Sequence, residues 1–227
     1  MLRVMTWNLN CGNKDENDVK LRLPSMNSIV QSQRPDVLAV QEAPKREHLV
    51  SVSTYKFHLA AEPHGYSLAL FSHLEPQHGK TFEHMAGRHP LVRLTVWYRG
   101  LSIDVFTIHL NARNQPDDQA TRNQKTQGVL NKISTETHGA FLLVGDFNLH
   151  GEEPGYKTLS TAPLIDCYHA LHPFESGITF EGVHPPQLFD YIFASPDLAN
   201  QLRSCYVLDT SDVRAASDHF PVVAEFE

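Results

Sequence analysis

The apolar residues of this chain stand in short runs, and the runs that constrain the fold most end on polar side chains. Val37–Val40 leads into Gln41–Glu42, and Phe141–Val144 leads into Gly145–Asp146. Runs of this length are too short for helices and are typical of strands buried on both faces. The pattern predicts a fold built on sheets, with polar groups gathered where the strands end.

A β-hairpin is the clearest predicted supersecondary unit. Leu91–Tyr98 and Leu101–Leu110 flank Arg99–Gly100, and two residues including glycine between apolar runs indicate a tight turn. In the second strand the two-residue period places His109 on the same face as Val105. Further strands are predicted for Leu2–Leu9, Asp36–Val40, Tyr55–Ala60, Tyr66–Phe71, Ala140–Val144, Leu188–Ala194, Arg203–Leu208 and Phe220–Phe226.

Helices are fewer in the predicted order of elements. One is predicted to end near Gln33 with Pro24 close to its start, and another spans Gln119–Thr137. The polar segment Glu75–Pro90 is predicted to be a loop. These assignments amount to roughly nine or ten strands and three or four helices. Consecutive hairpins with few helices favour two packed sheets with helices outside over one parallel sheet.

Composition narrows the class of protein. The chain has 227 residues, 41% of them hydrophobic, and no Gly/Ser- or Pro-rich linker, so we expect residues 1–227 to form a single domain with a sizeable core. The net charge of −7 argues against tight, unassisted binding to bulk nucleic acid. It does not exclude a nuclease, because a bound metal ion neutralises an acidic site and attracts phosphate.

The cysteines and the apolar stretches indicate the compartment. Cys11, Cys167 and Cys205 are too few and too widely spaced to indicate a disulfide framework or a zinc motif. Met1–Trp7 does not read as a signal peptide, and no apolar stretch approaches the roughly 20 residues that cross a bilayer. We therefore expect no membrane span and a soluble, cytoplasmic, monomeric protein with reduced thiols.

Polar groups that suit metal and phosphate chemistry recur at the predicted strand ends. They are Asn8, Asn10, Glu42, His109, Asp146 and Asp218–His219. A sheet that gathers its strand ends at one edge would bring these groups together. Carboxylate and carboxamide oxygens suit Mg²⁺ or Mn²⁺ better than zinc, and phosphoester cleavage needs a set of this kind.

The same residues belong to short motifs that follow one another in a distinctive order. From the amino terminus these are Trp7-Asn8-Leu9-Asn10, Gln41-Glu42, His109, Gly145-Asp146-Phe147-Asn148, Asp190-Tyr191 and Ser217-Asp218-His219. The set resembles that of the endonuclease/exonuclease/phosphatase superfamily, which includes deoxyribonucleases, abasic-site endonucleases, inositol-polyphosphate phosphatases, neutral sphingomyelinases and deadenylases. The resemblance implies an α+β fold, a four-layer α/β/β/α sandwich in which two mostly antiparallel sheets pack face to face with helices outside.

The resemblance also implies a divalent-metal site. Glu42 would be the main ligand of Mg²⁺ or Mn²⁺. Asn10 would assist directly or through water, although many relatives carry an acidic residue at its position. Asp218 would contribute from the other side of the site.

Three of the implied catalytic residues act on the water and the phosphate. Asp146 would orient the attacking water and would itself be held by Asn8. Asn148 would donate a hydrogen bond to a phosphate oxygen.

The other three implied catalytic residues concern proton transfer and charge. His219 would bind the scissile phosphate or act as an acid/base, with Asp190 fixing its tautomer and ring angle. His109 would stabilise the transition state or protonate the leaving group. Abasic-site enzymes tend to have tyrosine at this position, so His109 favours the deoxyribonuclease-like and phosphatase-like branches.

Each of these residues alone has an ordinary structural explanation. Asn8 and Asn10 are common types at strand ends, Glu42 would cap a helix that begins at Ala43-Pro44, and His109 fits a sheet histidine. The functional hypothesis rests on their joint occurrence in the order of the superfamily.

Two weaker candidates lie outside these motifs. Arg122 is placed either at a substrate phosphate or on the solvated surface. Phe180, which follows Thr179, either stacks on a base or sugar or packs in the core.

The substrate class stays open between two hypotheses. The first is a metal-dependent nuclease that cleaves phosphodiesters in DNA or RNA, and the second is a phosphatase or phosphodiesterase for a small or lipid-derived phosphoester with the same catalytic core. A non-catalytic binding module predicts loss of core residues, yet all are present. A calcineurin-like metallophosphatase would require an early Asp-x-His and a later Gly-Asn-His, and neither occurs.

Overall fold

The computed structural model describes residues 1–12, 14–44, 54–61, 67–85, 89–112, 116–137 and 139–227. Its strands are β1 (Leu2–Asn8), β2 (Val37–Ala43), β3 (Phe57–Ala61), β4 (Ser67–Ser72), β5 (Pro76–Met85), β6 (His89–Tyr98), β7 (Leu101–His109), β8 (Ala140–Asp146), β9 (Ile165–Asp166), β10 (Asp190–Ala194), β11 (Leu202–Val207) and β12 (Val222–Phe226). Its helices are α1 (Glu16–Gln33), α2 (Pro116–Glu136), α3 (Pro154–Ser160), α4 (Cys167–Leu171), α5 (Pro196–Ala199) and α6 (Ser211–Ala216).

The strands form two six-stranded sheets. The first has the order β11-β12-β1-β2-β4-β3, and the second has the order β5-β6-β7-β8-β10-β9. Each sheet contains one parallel pair, β1 with β2 and β7 with β8, and the other described pairs are antiparallel. A helix makes each parallel crossover, α1 in the first sheet and α2 in the second, so the carboxyl ends of the paired strands lie at the same edge.

The apolar residues separate into three clusters because successive strand residues face opposite sides of a sheet. Val4 packs toward Val144 in the cluster shared by the two sheets, whereas its neighbour Met5 packs toward Met26 of α1. A third cluster lies under α2 and contains Ile133. The order helix, sheet, sheet, helix confirms the predicted four-layer α/β/β/α sandwich.

The predicted hairpin is confirmed. Strands β6 and β7 pair from Leu91 opposite Ile108 to Tyr98 opposite Leu101. The two turn residues have positive φ, 48° at Arg99 and 87° at Gly100. This is the backbone of a two-residue turn whose twist matches that of the strands.

The predicted loop at Glu75–Pro90 is wrong. Pro76–Met85 forms β5 and pairs antiparallel with β6, which begins at His89, while residues 86–88 lie outside the described part. Strand β5 is at the edge of its sheet, where polar and charged side chains are ordinary. The polarity that indicated a loop is therefore that of an edge strand.

The expected position of Pro24 is also wrong. Helix α1 begins at Glu16, where the carboxylate of Asp15 accepts hydrogen bonds from Asn17 N and Asp18 N. This N-cap starts the helix two turns before Pro24, which lies exposed in its interior.

The described residues form more strands and helices than the pattern of hydrophobic residues in the sequence predicts. The additional ones are short, such as β9 with two residues and α5 with four, and a helical or strand period cannot be recognised over so few residues. Among the described helices, none is long and apolar enough to cross a membrane.

Candidate active site

Polar side chains from both sheets meet in one cleft at the carboxyl ends of the parallel strands. The cleft has a volume of about 280 Å³. Eight of the nine residues predicted from the sequence line it: Asn8, Asn10, Glu42, His109, Asp146, Asn148, Asp218 and His219. The ninth, Asp190, is buried behind His219. The other described lining residues are apolar: Ala112, Phe180, Gly182, Val183 and Phe189.

Asp146, the last residue of β8, is buried with both carboxylate oxygens in hydrogen bonds. Asn8 Nδ2 donates to its Oδ2 over 2.9 Å, and the backbone N–H of Asn148 donates to its Oδ1 over 2.9 Å. Burial raises the pKa of Asp146, and the nearby charge of His219 opposes that rise. The carboxylate is held in place, and its Oδ2 lies 3.4 Å from His109 Nε2.

Gly145 allows the close approach that brings Asp146 to the cleft. Its φ is 138°, and a Cβ at this position would lie 2.1 Å from the carbonyl oxygen of Ile108. Only glycine accommodates both conditions without strain. Strands β7 and β8 therefore stay in contact up to the pair His109 and Asp146.

His219 lies between two carboxylates. Its Nδ1 donates to Asp190 Oδ2 over 2.9 Å, and its Nε2 lies 3.9 Å from Asp146 Oδ2. Asp190 is held in turn by its backbone N–H, which donates to the buried hydroxyl of Thr179 over 3.1 Å. The ring of Phe180 covers the imidazole, with centroids 4.5 Å apart.

The two carboxylates decide the charge of His219. Burial by itself lowers the pKa of this imidazole, but the charges of Asp190 and Asp146 outweigh it and raise the pKa to about 10. The other oxygen of Asp190, Oδ1, has no hydrogen-bond partner among the described residues. The cationic ring is therefore the main compensation for the buried charge of Asp190.

Three non-glycine residues of the cleft have left-handed backbone. Their φ values are 48° at Asn10, 47° at Glu42 and 49° at Asn148. Asparagine often adopts this conformation, whereas glutamate rarely does. At Glu42 the pairing of β2 with β4 shifts register between Val40 and Ala43. Strained backbone of this kind is concentrated at functional sites.

Asp218 is exposed at the rim, in the segment that joins α6 to β12. The hydroxyl of the preceding residue, Ser217, donates to Asn8 O over 2.7 Å and accepts from His219 N over 3.1 Å. The indole N–H of Trp7 donates to His219 O over 2.9 Å. These contacts join the end of β1 to the segment that carries Asp218.

The cleft residues fit a divalent cation by their chemistry. Three carboxylates face the cleft, those of Glu42, Asp146 and Asp218, and its described lining contains no lysine or arginine. That described lining has two imidazoles, those of His109 and His219, and the nearby carboxylates keep the ring of His219 cationic by raising its pKa. An excess of carboxylate and carboxamide oxygens is the donor set that Mg²⁺ and Mn²⁺ prefer.

A second grouping of possible ligands is more compact. Ligand atoms of Asp146, Asp190 and His219 lie within 4.8 Å of one another, and all three residues are buried. However, His219 Nδ1 and Asp190 Oδ2 already satisfy each other in a hydrogen bond. We therefore interpret this group as a carboxylate–histidine–carboxylate array and not as a metal ligand set.

Comparison with known proteins identifies the family of the chain. The sequence model that describes the endonuclease/exonuclease/phosphatase family matches residues 5–219 of this chain. The chain belongs to this family. Hydrolases of the endonuclease/exonuclease/phosphatase family act on phosphoesters and generally use a divalent metal. The superfamily resemblance predicted from the sequence motifs is thereby confirmed.

Solved structures of other proteins share the fold over the whole chain. D. rerio TDP2, humanized by 14 mutations, has a TM-score of 0.82 at 19% identity and covers 100% of this chain and 98% of its own. The AP endonuclease of Archaeoglobus fulgidus has a TM-score of 0.80 at 20% identity, with 100% of both chains covered. The mannosyl-6-phosphatase Bt3783 of Bacteroides thetaiotaomicron VPI-5482 has a TM-score of 0.82 at 18% identity, again with 100% of both chains covered. At these identities the likeness establishes the fold alone, and no curated protein matches the sequence.

Two arginines near the cleft have roles that the sequence does not reveal. Arg122 is fully buried and donates to Glu153 Oε2 over 2.7 Å. It therefore lies neither on the solvated surface nor at a position where it would bind a substrate phosphate. Arg22 lies four residues after Asp18 on α1, a spacing that indicates an ordinary surface ion pair. Its guanidinium makes that pair and also donates to backbone carbonyls beside the cleft.

Proposed function

We propose that this family member is a divalent-metal-dependent phosphoester hydrolase. The observation that carries the proposal is the array Asp190–His219–Asp146, which opens onto a carboxylate-rich cleft. Glu42, Asn10 and Asp218 would hold Mg²⁺ or Mn²⁺, and the bound ion supplies charge stabilisation at the phosphoryl and leaving-group oxygens.

Asp146 would orient the attacking water and accept its proton. Its carboxylate is oriented from both sides by Asn8 and by the backbone of Asn148. A buried carboxylate with a raised pKa is a good acceptor for a proton of the attacking water.

His219 and Asn148 would bind the phosphate of the substrate. The raised pKa keeps His219 cationic at neutral pH, so its Nε2–H donates to a phosphate oxygen while Asp190 fixes the ring. Asn148 Nδ2 donates one hydrogen to Leu110 O over 2.8 Å and keeps its second for a phosphate oxygen. His109, 3.4 Å from Asp146 Oδ2, is placed to stabilise the transition state or protonate the leaving group.

A phosphodiester of nucleic acid is the first candidate substrate. Two of the structures with the same fold support it, the AP endonuclease of A. fulgidus and D. rerio TDP2 complexed with single strand DNA product. A bound metal would offset the net charge of −7 at the point where a phosphate enters.

A small phosphoester is the second candidate, and the lining of the cleft favours it. The cleft is about 280 Å³, and its described lining has no lysine or arginine to follow a polyanionic backbone. Phe180, Val183 and Phe189 contribute apolar surface to that lining. The mannosyl-6-phosphatase of B. thetaiotaomicron shows that this fold is also found in a sugar phosphatase.

A substrate panel tests the proposed function. Purified protein is assayed on plasmid, single-stranded DNA, RNA, and small phosphomonoesters and diesters, with Mg²⁺, Mn²⁺ or EDTA. We expect hydrolysis that EDTA abolishes and that falls by about 100-fold or more in Glu42→Gln and His219→Gln proteins. Glu152→Gln is the control, because the side chain of Glu152 is 90% exposed and outside the cleft.

The panel also has results that contradict the proposal. Metal-independent hydrolysis, or equal rates in wild-type and Glu42→Gln proteins, would overturn the metal-dependent mechanism. Turnover of small esters without any cleavage of DNA or RNA would reject the first candidate substrate and leave the second.

A further inference from the structure

Arg22 of α1 binds backbone carbonyls of two chain segments beside the cleft, one after β1 and one before β12. Its Nη1 donates to Leu9 O over 3.1 Å and to Ala216 O over 2.7 Å, and its Nη2 donates to Asn10 O over 2.9 Å. Its Nε donates to Asp18 Oδ2 over 3.1 Å, which orients the guanidinium. The side chain is 13% exposed, so these hydrogen bonds are largely shielded from water.

The bonded carbonyls belong to the two segments that carry candidate metal ligands. Leu9 and Asn10 follow β1, and Asn10 has the left-handed φ of 48°. Ala216 is the last residue of α6 and stands two positions before Asp218. One guanidinium thus holds together two segments, at Asn10 and at Ala216, that are about two hundred residues apart in the chain.

Only arginine has the donor geometry for this arrangement. Its planar guanidinium presents five N–H groups in a fixed fork, and four of the contacts of Arg22 use that fork. A lysine ammonium is a single point with rotatable donors, so it cannot hold all three carbonyls at fixed spacing.

We propose that Arg22 is a positioning residue that holds Asn10 and Asp218 at the spacing that a divalent cation requires. This inference rests on the proposed metal-dependent function. Arg22 itself does not touch the cleft, whose lining does not include it. Its effect on the cation passes through the backbone of the two ligand-bearing segments, in the way that groups behind a metal site orient the ligands.

The fold does not depend on Arg22 alone to join these segments. Ser217 Oγ to Asn8 O and Trp7 Nε1 to His219 O also connect them. Removal of the guanidinium should therefore release the backbone of Asn10 while the sheet persists.

The test compares Arg22→Met and Arg22→Lys with a control, Lys20→Met. Lys20 is on the same helix, but its side chain is 54% exposed and pairs with Glu16 on the surface. Mn²⁺ binding to each protein is measured by electron paramagnetic resonance without substrate, thermal unfolding is measured without metal, and hydrolysis is measured as a function of Mn²⁺ concentration.

We expect Arg22→Met to weaken Mn²⁺ binding by about 10- to 100-fold, and to recover much of its kcat at saturating Mn²⁺. Arg22→Lys should fall between it and wild type, and Lys20→Met should match wild type. A purely structural role would lower the unfolding temperature and leave the dissociation constant for Mn²⁺ unchanged, which would overturn the proposal. If Arg22→Met does not fold, an unchanged dissociation constant in Arg22→Lys would overturn it equally.

The outcomes separate this inference from the proposed function. A wild-type protein that binds no Mn²⁺ and hydrolyses no phosphoester contradicts both. A wild-type protein that is active and binds Mn²⁺, together with an Arg22→Met protein of equal affinity, contradicts only the role of Arg22.

Discussion

At the scale of single residues, His219 shows how burial and charge compete. A buried imidazole would ordinarily lose its proton, but two carboxylates reverse the outcome and raise its pKa to about 10. Asp190 contributes the hydrogen bond at Nδ1 and stays out of the cleft. The ring is therefore held with Nε2 toward the position of a phosphate.

Asp190→Asn tests the importance of that carboxylate. We expect kcat to fall on the order of 10² to 10⁴-fold, because an amide neither fixes the tautomer nor stabilises the cationic ring. Asp166→Asn is a matched control, since Asp166 Oδ2 also lies 2.7 Å from a histidine, His169 Nδ1, but outside the cleft. Steady-state kinetics on the substrate found by the panel checks this, and equal losses in both variants would show that Asp190 acts only on folding.

At the scale of elements, α1 keeps a helical path across a residue that usually interrupts one. It begins after the Asp15 cap and ends at Gln33. The next residue, Arg34, has a φ of 47° and donates its N–H to Val30 O, which makes it a left-handed C-cap. Pro24 in its interior has no N–H to donate within the helix. The apolar face that includes Met26 and Val30 offsets this loss by packing against the first sheet.

Replacement of Pro24 should stabilise the protein. Pro24→Ala restores a backbone donor at an exposed position, and we expect the free energy of unfolding to rise by about 1–3 kcal/mol. Ser28→Ala, at another exposed position of α1, is the control and should add only about 0.5 kcal/mol. Urea unfolding measures both, and a loss of stability in Pro24→Ala would mean that packing of α1 requires the proline geometry.

At the scale of the whole molecule, the candidate site exists only where the two sheets meet. The first sheet and its adjoining segments contribute Asn8, Glu42 and His219, while the second contributes His109 and Asp146. The two sheets share one apolar cluster, so neither can bury its inner face without the other. We propose that residues 1–227 fold as one domain for this reason.

Two tryptophans provide a test of that cooperativity. Trp7 lies fully buried in β1 of the first sheet, and Trp97 lies 50% exposed in β6 of the second. We expect Trp7→Phe and Trp97→Phe proteins, each with one remaining tryptophan, to show fluorescence transitions that coincide with loss of circular dichroism in urea. Distinct midpoints for fluorescence and circular dichroism within either protein would show that the sheets unfold as separate units.

Local sequence patterns were enough to predict the strand ends and the residues that stand there. A short apolar run followed by Glu42 or Asp146 marks both the strand and its polar tip, because burial and strand length are properties of neighbouring residues. The same holds for the turn at Arg99–Gly100. The pairing of the sheets and the four layers followed from the order of these elements together with the family resemblance.

Tertiary structure decided what depends on partners distant in the chain. A polar segment such as Pro76–Met85 becomes an edge strand only when β6 supplies its hydrogen bonds. Arg22 has the sequence surroundings of a surface residue, yet carbonyls from residues 9, 10 and 216 surround its guanidinium in the fold. The proton on His219 likewise depends on Asp190 and Asp146, because the pKa of a buried group is set by the charges around it in space and not by its neighbours in sequence.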